Sequence, residues 1–332
     1  MQIHSYIRPY AISERMLELV SSISEKVGKI SSRKDMESKP HLRRNNRIRS
    51  IHSSLKIEAN SLSFNEVRDV LNGHQVVGDQ KAILEVKNAF DAYERISEID
   101  PSSIVHLKKI HGIMTHLTVE ESGEFRRGNE GVFSGDRCIF VAPPPGRINE
   151  LMQDLLSWVK NFEGKVHPLI LAAVFHYEFV FIHPFADGNG RMARLWHTVI
   201  LSRWRSIFKY IPLESQIEKF QKQYYDAIAQ CHDNGNSNVF IEFMLDRINQ
   251  ALDDVISQVI RENTEASMYV KRLLALMEYD VPYTAYELME RLGLKSRETF
   301  RKNYLHPAMD SELIRMTLPD KPNSKNQRYV KQ

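Results

Sequence analysis

Apolar residues recur three and four positions apart along most of this chain, the spacing of helices that bury one face. SERMLELVSSISEKVGKI predicts an amphipathic helix opened by a serine start signal. RRNNRIRSIHSSLKIEAN and KAILEVKNAFDAYERI predict a second and a third. Pro101 and two serines introduce IVHLKKIHGIMTHL, and RINELMQDLLSWVKNF follows. PLILAAVFHYEFVFI is apolar on every side, so it belongs at the buried centre of a bundle. MARLWHTVILSRW and one long helical stretch over 215–262 complete this mainly α pattern.

Two segments depart from the helical rhythm. EGVFSGDRCIFVAPPPGR carries short β-prone runs around Ser134-Gly135-Asp136, a hairpin signal. An isolated hairpin needs a surface to pack on, so residues 131–145 read as a flap on the helical body. Beyond residue 265, KRLLALMEY, YTAYELMERLGL and SRETFRKNYLHPAM predict three short helices. LIRMTLPDKPNSKNQRYVKQ adds two strands around a polar turn. Three helices and a β-ribbon describe a winged helix over 265–332.

Composition narrows the class. Of 332 residues, 42% are apolar and 26% charged, the mix of a soluble globular protein with length for a large core. A net charge of +3 is too small for a general nucleic-acid coat. The first residues lack the apolar run of a signal peptide, and no segment approaches a membrane span, so a cytoplasmic protein without membrane partners is expected. Cys138 and Cys231, the two cysteines, read as reduced.

The candidate chemistry lies in HPFADGNGRMAR, His183 to Arg194. Pro184 drives His183 out of helical geometry and ends the apolar helix. Gly188, Asn189 and Gly190 then turn the chain just before the next helix, where free amides and the helix dipole favour an anion. Arg191 and Arg194, three apart, can lean over one face and fork onto phosphate oxygens. Asp187 is a hard oxygen ligand that suits Mg²⁺ held jointly with a nucleotide. His183 can take a proton from an attacking hydroxyl.

The stretch also resembles the signature of the Fic family, HxFx(D/E)GNGRxxR, at every fixed position. The resemblance takes in the preceding apolar helix and the upstream hairpin, covering roughly 40–250. It implies a helical bundle that transfers AMP from ATP to a Ser, Thr or Tyr hydroxyl of a target protein or of itself, with Mg²⁺ as cofactor. By position, His183 would deprotonate the hydroxyl and Asp187 would bind Mg²⁺. Gly188, Asn189, Gly190 and Arg191 would hold the phosphates, with Arg194 on the γ-phosphate. Gly190 argues against the family's phosphotransferase branch, which has lysine there. The flap near Val132 to Val141 would pair with an extended stretch of the target by strand addition.

SSLKIEANSLSFNEV resembles the inhibitory motif [S/T]xxxE[G/N] of that family, with Ser54 and Glu58 four apart. It departs at Ala59, where glycine or asparagine is usual. On spacing alone a surface helix with Ser54 as a capping serine is the favoured reading, and the resemblance reverses that order. The resemblance makes 1–100 an N-terminal region with an inhibitory helix at about 45–60, and 101–262 the catalytic core. The C-terminal region resembles winged helices attached to Fic cores. Arg297, Arg301 and Lys302 on its third helix and Lys321, Lys325 and Arg328 on the wing could reach duplex DNA, with protein contact or a homodimer as the other use. The run at Arg43, Arg44, Arg47 and Arg49 reads as a solvated face. His106, His111, His116 and His176 lack metal-ligand spacing and read as packed or surface residues. Removal of AMP from a modified protein, and a nucleotide-sensing DNA-binding regulator, stay open beside transfer.

Overall fold

The structure, a computed structural model, describes residues 8–32, 40–134, 137–263, 267–279, 281–311, 313–322 and 324–331. The expected hairpin turn at Gly135-Asp136, the first seven residues and the side chain of Cys138 lie outside the described residues.

By internal contacts the chain divides into two units. One holds the chain up to Lys29 and Arg47–Ala251, and the other Ile30–Asn46 and the chain from Leu252 on. Apart from Ile30–Asn46, the N-terminal helices thereby join the helices that bear the motif. They are α1 (Glu14–Ser32), α2 (Pro40–Ile57), α3 (Phe64–Leu71), α4 (Gln80–Glu94) and α5 (Ile104–Met114). After the hairpin of β1 (Gly131–Ser134) and β2 (Arg137–Val141) come α6 (Ile148–Phe162), α7 (Pro168–Ile182) and α8 (Asn189–Trp204). Then follow α9 (Leu213–Lys219), α10 (Gln221–Asn234) and α11 (Asn238–Asn263).

Local chemistry explains these limits. Ser63 and Glu66 form a reciprocal capping box that starts α3, a helix the periodicity alone does not predict although S-x-x-E is its signal. Asp79 caps α4 and Ser103 caps α5. The stretch expected as one helix over 215–262 is three, broken at Phe220 and at Gly235, whose φ of 62° a glycine adopts without penalty. Helix α7, buried from Leu169 to Phe179, packs against α8 and α6 at the centre of the first unit. Phe175, Phe179, Phe185, Trp196 and Phe240 are fully buried there. Arg47 is not simply solvated. It donates to the Tyr93 carbonyl at 2.6 Å and to Glu94 at 3.0 Å, with its guanidinium over the Tyr210 ring.

In the second unit, α12 (Met268–Leu276), β3 (Pro282–Tyr283) and α13 (Ala285–Leu292) precede α14 (Arg297–Phe300) and α15 (His306–Asp310). Strands β4 (Ile314–Met316) and β5 (Tyr329–Lys331) end the chain. The sheet order is β3-β5-β4, antiparallel throughout. The elements run helix–strand–helix–helix–strand–strand around this small sheet, with β3 a strand too short to stand out in sequence. Leu273, Met277, Leu288, Phe300, Leu305 and Ile314 share its core. Helices α14 and α15 run on through a π-helical turn, Arg301–Leu305, where the His306 N–H reaches back to the Arg301 carbonyl. Pro307 explains the widened turn, because its ring would crowd the carbonyl four residues back. Among the described residues, no helix is long and apolar enough to cross a membrane.

Candidate functional site

Helix α7 ends at His183, which takes the left-handed conformation (φ 51°, ψ 59°) and donates its N–H to the Phe179 carbonyl at 3.0 Å. Left-handed backbone costs a non-glycine residue about 1–2 kcal/mol, and histidine is among the residues that tolerate it best. His183 Nδ1 lies 3.3 Å from the Val180 carbonyl, which can only accept. The ring proton therefore belongs on Nδ1, leaving the Nε2 lone pair for chemistry. Burial pushes the His183 pKa below its ordinary 6.5. The Val180 carbonyl opposes this, Arg126 adds to it, and Glu130 and Glu58 oppose it. The imidazole is thus a neutral base at neutral pH.

The loop after His183 is built by side chains on its own backbone. Asn189 Oδ1 accepts from the Phe185 N–H at 3.0 Å, and its Nδ2 donates to the Phe185 carbonyl at 2.7 Å. The Asn189 side chain is thus committed to the loop, which leaves its main chain for an anion. Gly188 sits at φ 81°, and a Cβ there would lie 3.1 Å from Thr115 and 3.4 Å from His111. His111 is a post under the loop. Its Nδ1 accepts from the Gly123 N–H at 2.9 Å, so Nε2 carries the proton and donates to the Asp187 carbonyl at 3.0 Å. Its ring stacks on Phe185 with centroids 3.6 Å apart, and burial pushes its pKa down to about 4.

The amides of the first turn of α8 then face outward from a fixed loop, as an anion site requires. Arg191 Nη2 donates to Asp187 Oδ1 at 3.0 Å, while its Nη1 lies 3.5 Å from Glu85 Oε1. Asn60 holds that glutamate by donating to Oε2 at 2.8 Å. The Asp187 side chain remains 50% exposed. One half-exposed carboxylate beside a helix N-terminus is a donor of the kind Mg²⁺ takes, since that ion keeps several waters and needs few protein ligands.

Ser54, Glu58 and Arg194 meet as one cluster. Arg194 Nε donates to Ser54 Oγ at 3.0 Å, and Nη2 donates to the Ser54 carbonyl at 2.9 Å and to Glu58 Oε1 at 2.7 Å. Ser54 is therefore a partner of Arg194 and not a helix cap. The Arg194 side chain is 1% exposed and that of Glu58 35%. Burial works against the arginine's charge, but the Glu58 carboxylate holds its pKa above the usual range. Glu58 also lies over Gly190, where an added Cβ would sit 2.3 Å from its Oε1. The carboxylate thus occupies the mouth of the α8 N-terminus, where an anion would lie. It is held there by the end of α2, in which the Asn60 N–H bonds the Leu55 carbonyl and the Ala59 N–H the Lys56 carbonyl. Ala59 has φ 62°, which explains why glycine or asparagine is usual at that motif position.

Several residues at the site are silent in sequence. Behind Arg194, the Tyr93 hydroxyl donates to Glu214 Oε1 at 2.7 Å, and Tyr224 is buried beside the guanidinium. Arg126 donates to carbonyls of His183, Gly128 and Pro143. The FRRG run has no spacing that announces this, since its partners are backbone atoms brought in by the fold.

Residues 101–201 match the Fic/DOC family, and residues 268–330 match the C-terminal domain of Fic-like proteins (filamentation induced by cAMP). Protein adenylyltransferase Fic of Aedes aegypti is 32% identical over 216 residues, 62% of this chain and 41% of that protein. The protein of the same name from Drosophila willistoni is 29% identical over 256 residues, 71% of this chain and 49% of that one. The chain thus spans less than half the length of these relatives. Fic-1 of C. elegans shares the fold, with a TM-score of 0.61 at 21% identity, covering 73% of this chain and 72% of that one. A crystal structure of a Fic family protein from Desulfovibrio desulfuricans G20 superposes with a TM-score of 0.74 at 39% identity, covering 98% of both chains. With that likeness over nearly its whole length, and HPFADGNGRMAR folded around one helix N-terminus, this chain belongs to the Fic family.

Proposed function

We propose that the chain is a Mg²⁺-dependent protein adenylyltransferase, moving AMP from ATP to a Ser, Thr or Tyr hydroxyl of a protein target or of itself, and held inactive by Glu58. The observation that carries this is Glu58 Oε1 at 2.7 Å from Arg194 Nη2, above Gly190, in a loop that begins at His183. His183 Nε2 takes the hydroxyl proton as the oxygen bonds to the α-phosphorus and the bond to diphosphate breaks. Amides at the start of α8 hold phosphate oxygens, and Arg194 takes the γ-phosphate. Mg²⁺, when bound at Asp187, neutralises phosphate charge. Glu58 excludes that γ-phosphate by filling its place and pairing its cation. The exposed cations Arg297, Arg301, Lys302, Lys321 and Lys325 support duplex DNA as a partner of the C-terminal unit.

A second reading, removal of AMP, is favoured by one feature. Glu58 is part-exposed and its charge acts on His183, opposing the fall in the imidazole pKa, as a carboxylate that positions an attacking water would. Incubation with ATP labelled at the α-phosphate and Mg²⁺ separates the readings. Label on protein supports transfer, and loss of label from a pre-modified protein supports removal. Neither, with tight DNA binding, supports a nucleotide-sensing regulator. Glu58→Gly should raise transfer at least about tenfold, since misplacement by about 1 Å can cost around 10²-fold. His183→Ala is the control that should lower it about 10²–10⁴-fold while ATP still binds. A Glu58→Gly rate no higher than wild type overturns the inhibitory role.

A further inference from the structure

Arg126 is 3% exposed and, among the described residues, has no carboxylate within ion-pair distance. Its hydrogen bonds all go to main-chain carbonyls, while Glu130 acts on its charge from beyond ion-pair distance. Nε donates to the His183 carbonyl, Nη1 to the Gly128 carbonyl and Nη2 to the Pro143 carbonyl, each at 2.6 Å. Its own N–H donates to the Pro184 carbonyl at 2.9 Å. Gly128 precedes β1 and Pro143 follows β2, and between them the Ala142 N–H to the Glu130 carbonyl, at 3.0 Å, closes the root of the hairpin. One planar cation therefore fixes both roots of the flap and the left-handed corner that carries the base. Short charge-assisted bonds from a rigid fork give the arrangement a direction as well as energy.

We propose that Arg126 is a positioning residue for the protein substrate, setting the distance between the hairpin edge and His183. The inference rests on the reading of the site as an adenylyltransferase whose flap aligns the target. The hairpin offers a target strand its edge, and His183 must meet the hydroxyl that strand presents. Arg126 touches neither the hydroxyl nor the nucleotide loop beyond Pro184, so its loss misaligns the acceptor and leaves ATP in place. Lysine carries its three donors on one nitrogen and cannot reproduce a planar fork whose Nε, Nη1 and Nη2 each meet a different carbonyl.

The test compares Arg126→Lys and Arg126→Gln with the parent in the full chain carrying Glu58→Gly. Transfer to protein should fall about 10–100-fold in kcat/KM, with a raised KM for the target, the scale of a misplacement near 1 Å. The Kd for ATP should change less than about twofold. Amides over 128–143 should exchange hydrogen faster, while those of α7 and α8 keep their protection. Parent-like transfer by Arg126→Lys, or loss of ATP binding in step with transfer, overturns the proposal. If the Glu58→Gly parent transfers AMP to nothing, the adenylyltransferase reading fails by itself and hydrogen exchange decides. Unchanged exchange at the hairpin then overturns the clamp, and faster exchange confined to it supports the clamp. If Arg126→Gln does not fold, Arg126→Lys carries both measurements.

Discussion

Ala59 holds a backbone conformation that suits glycine. Its φ of 62° closes the end of α2 and aims Glu58 at Arg194, at a cost that a Cβ imposes and glycine does not. Glycine also gains freedom in the unfolded chain, which returns part of the benefit. Ala59→Gly should therefore stabilise the protein by up to about 1 kcal/mol, read by denaturant unfolding. A less stable variant would mean that Ala59 makes a contact worth more than the strain. At this scale the sequence was legible where chemistry sits on consecutive residues. His183, Asp187 and Arg194 could be singled out as candidates because one short stretch, from the end of α7 into the start of α8, carries them. Arg126 and His111 could not, because their hydrogen-bond partners are main-chain atoms without a residue-type signal, the farthest of them 57 and 76 positions away.

Elements were legible wherever burial is one-sided or complete, as in α1, α6 and α7. They were not where a cap or a single residue decides. Helix α3 is set by Ser63 and Glu66, and the breaks between α9, α10 and α11 interrupt an otherwise continuous helical pattern. The N-terminus of α8 is the element on which the site depends, and Gly190 reports who occupies it. In the wild type a Cβ at 190 must displace Glu58 Oε1 from 2.3 Å and crowds Arg194 Nη1 at 3.1 Å. Because the carboxylate ends a flexible side chain, the cost should be modest, about 1 kcal/mol, near the coupling of neighbouring residues. With Glu58→Gly that obstacle is gone, and alanine's helix preference over glycine contributes about 0.5–1 kcal/mol in favour. Gly190→Ala should thus destabilise the wild type and be neutral or stabilising beside Glu58→Gly. Equal effects in both backgrounds would show that Glu58 does not rest on α8 in solution. The third helix of the C-terminal unit gives a separate expectation. Eight Lys and Arg stand against four Asp and Glu from Ser296 on, and Arg297, Arg301 and Lys302 are exposed. Charge reversal by Arg301→Glu with Lys302→Glu in the full chain should weaken duplex binding at every sequence and flatten its salt dependence. Binding that is absent at low salt in the wild type would assign this face to protein contact.

At the scale of the whole molecule, a carboxylate inside the central helix contributes a distinct dependence of stability on pH. Glu178 is buried on α7, and burial first, with Asp154 adding and Arg8 opposing, pushes its pKa up to about 7. Arg8 pairs with Asp154 at 3.2 Å and lies over the Trp158 ring, so its charge is shared before it reaches Glu178. The ordinary value of 4.5 applies in the unfolded chain. Between the two values the folded protein holds a proton that the unfolded chain has released, so unfolding releases it. Folding stability from this group is therefore full below about pH 4.5 and declines as pH rises through about 7, by at most about 3 kcal/mol. The usual buried carboxylate paired with a cation behaves in the opposite sense. Glu178→Gln keeps the shape and removes the titration. The variant should match the wild type near pH 5, where Glu178 is largely protonated, and should unfold at higher denaturant near pH 8. Parallel stability curves for the two proteins from pH 5 to 8 would show that Glu178 keeps an ordinary pKa, with Arg8 or water satisfying its charge.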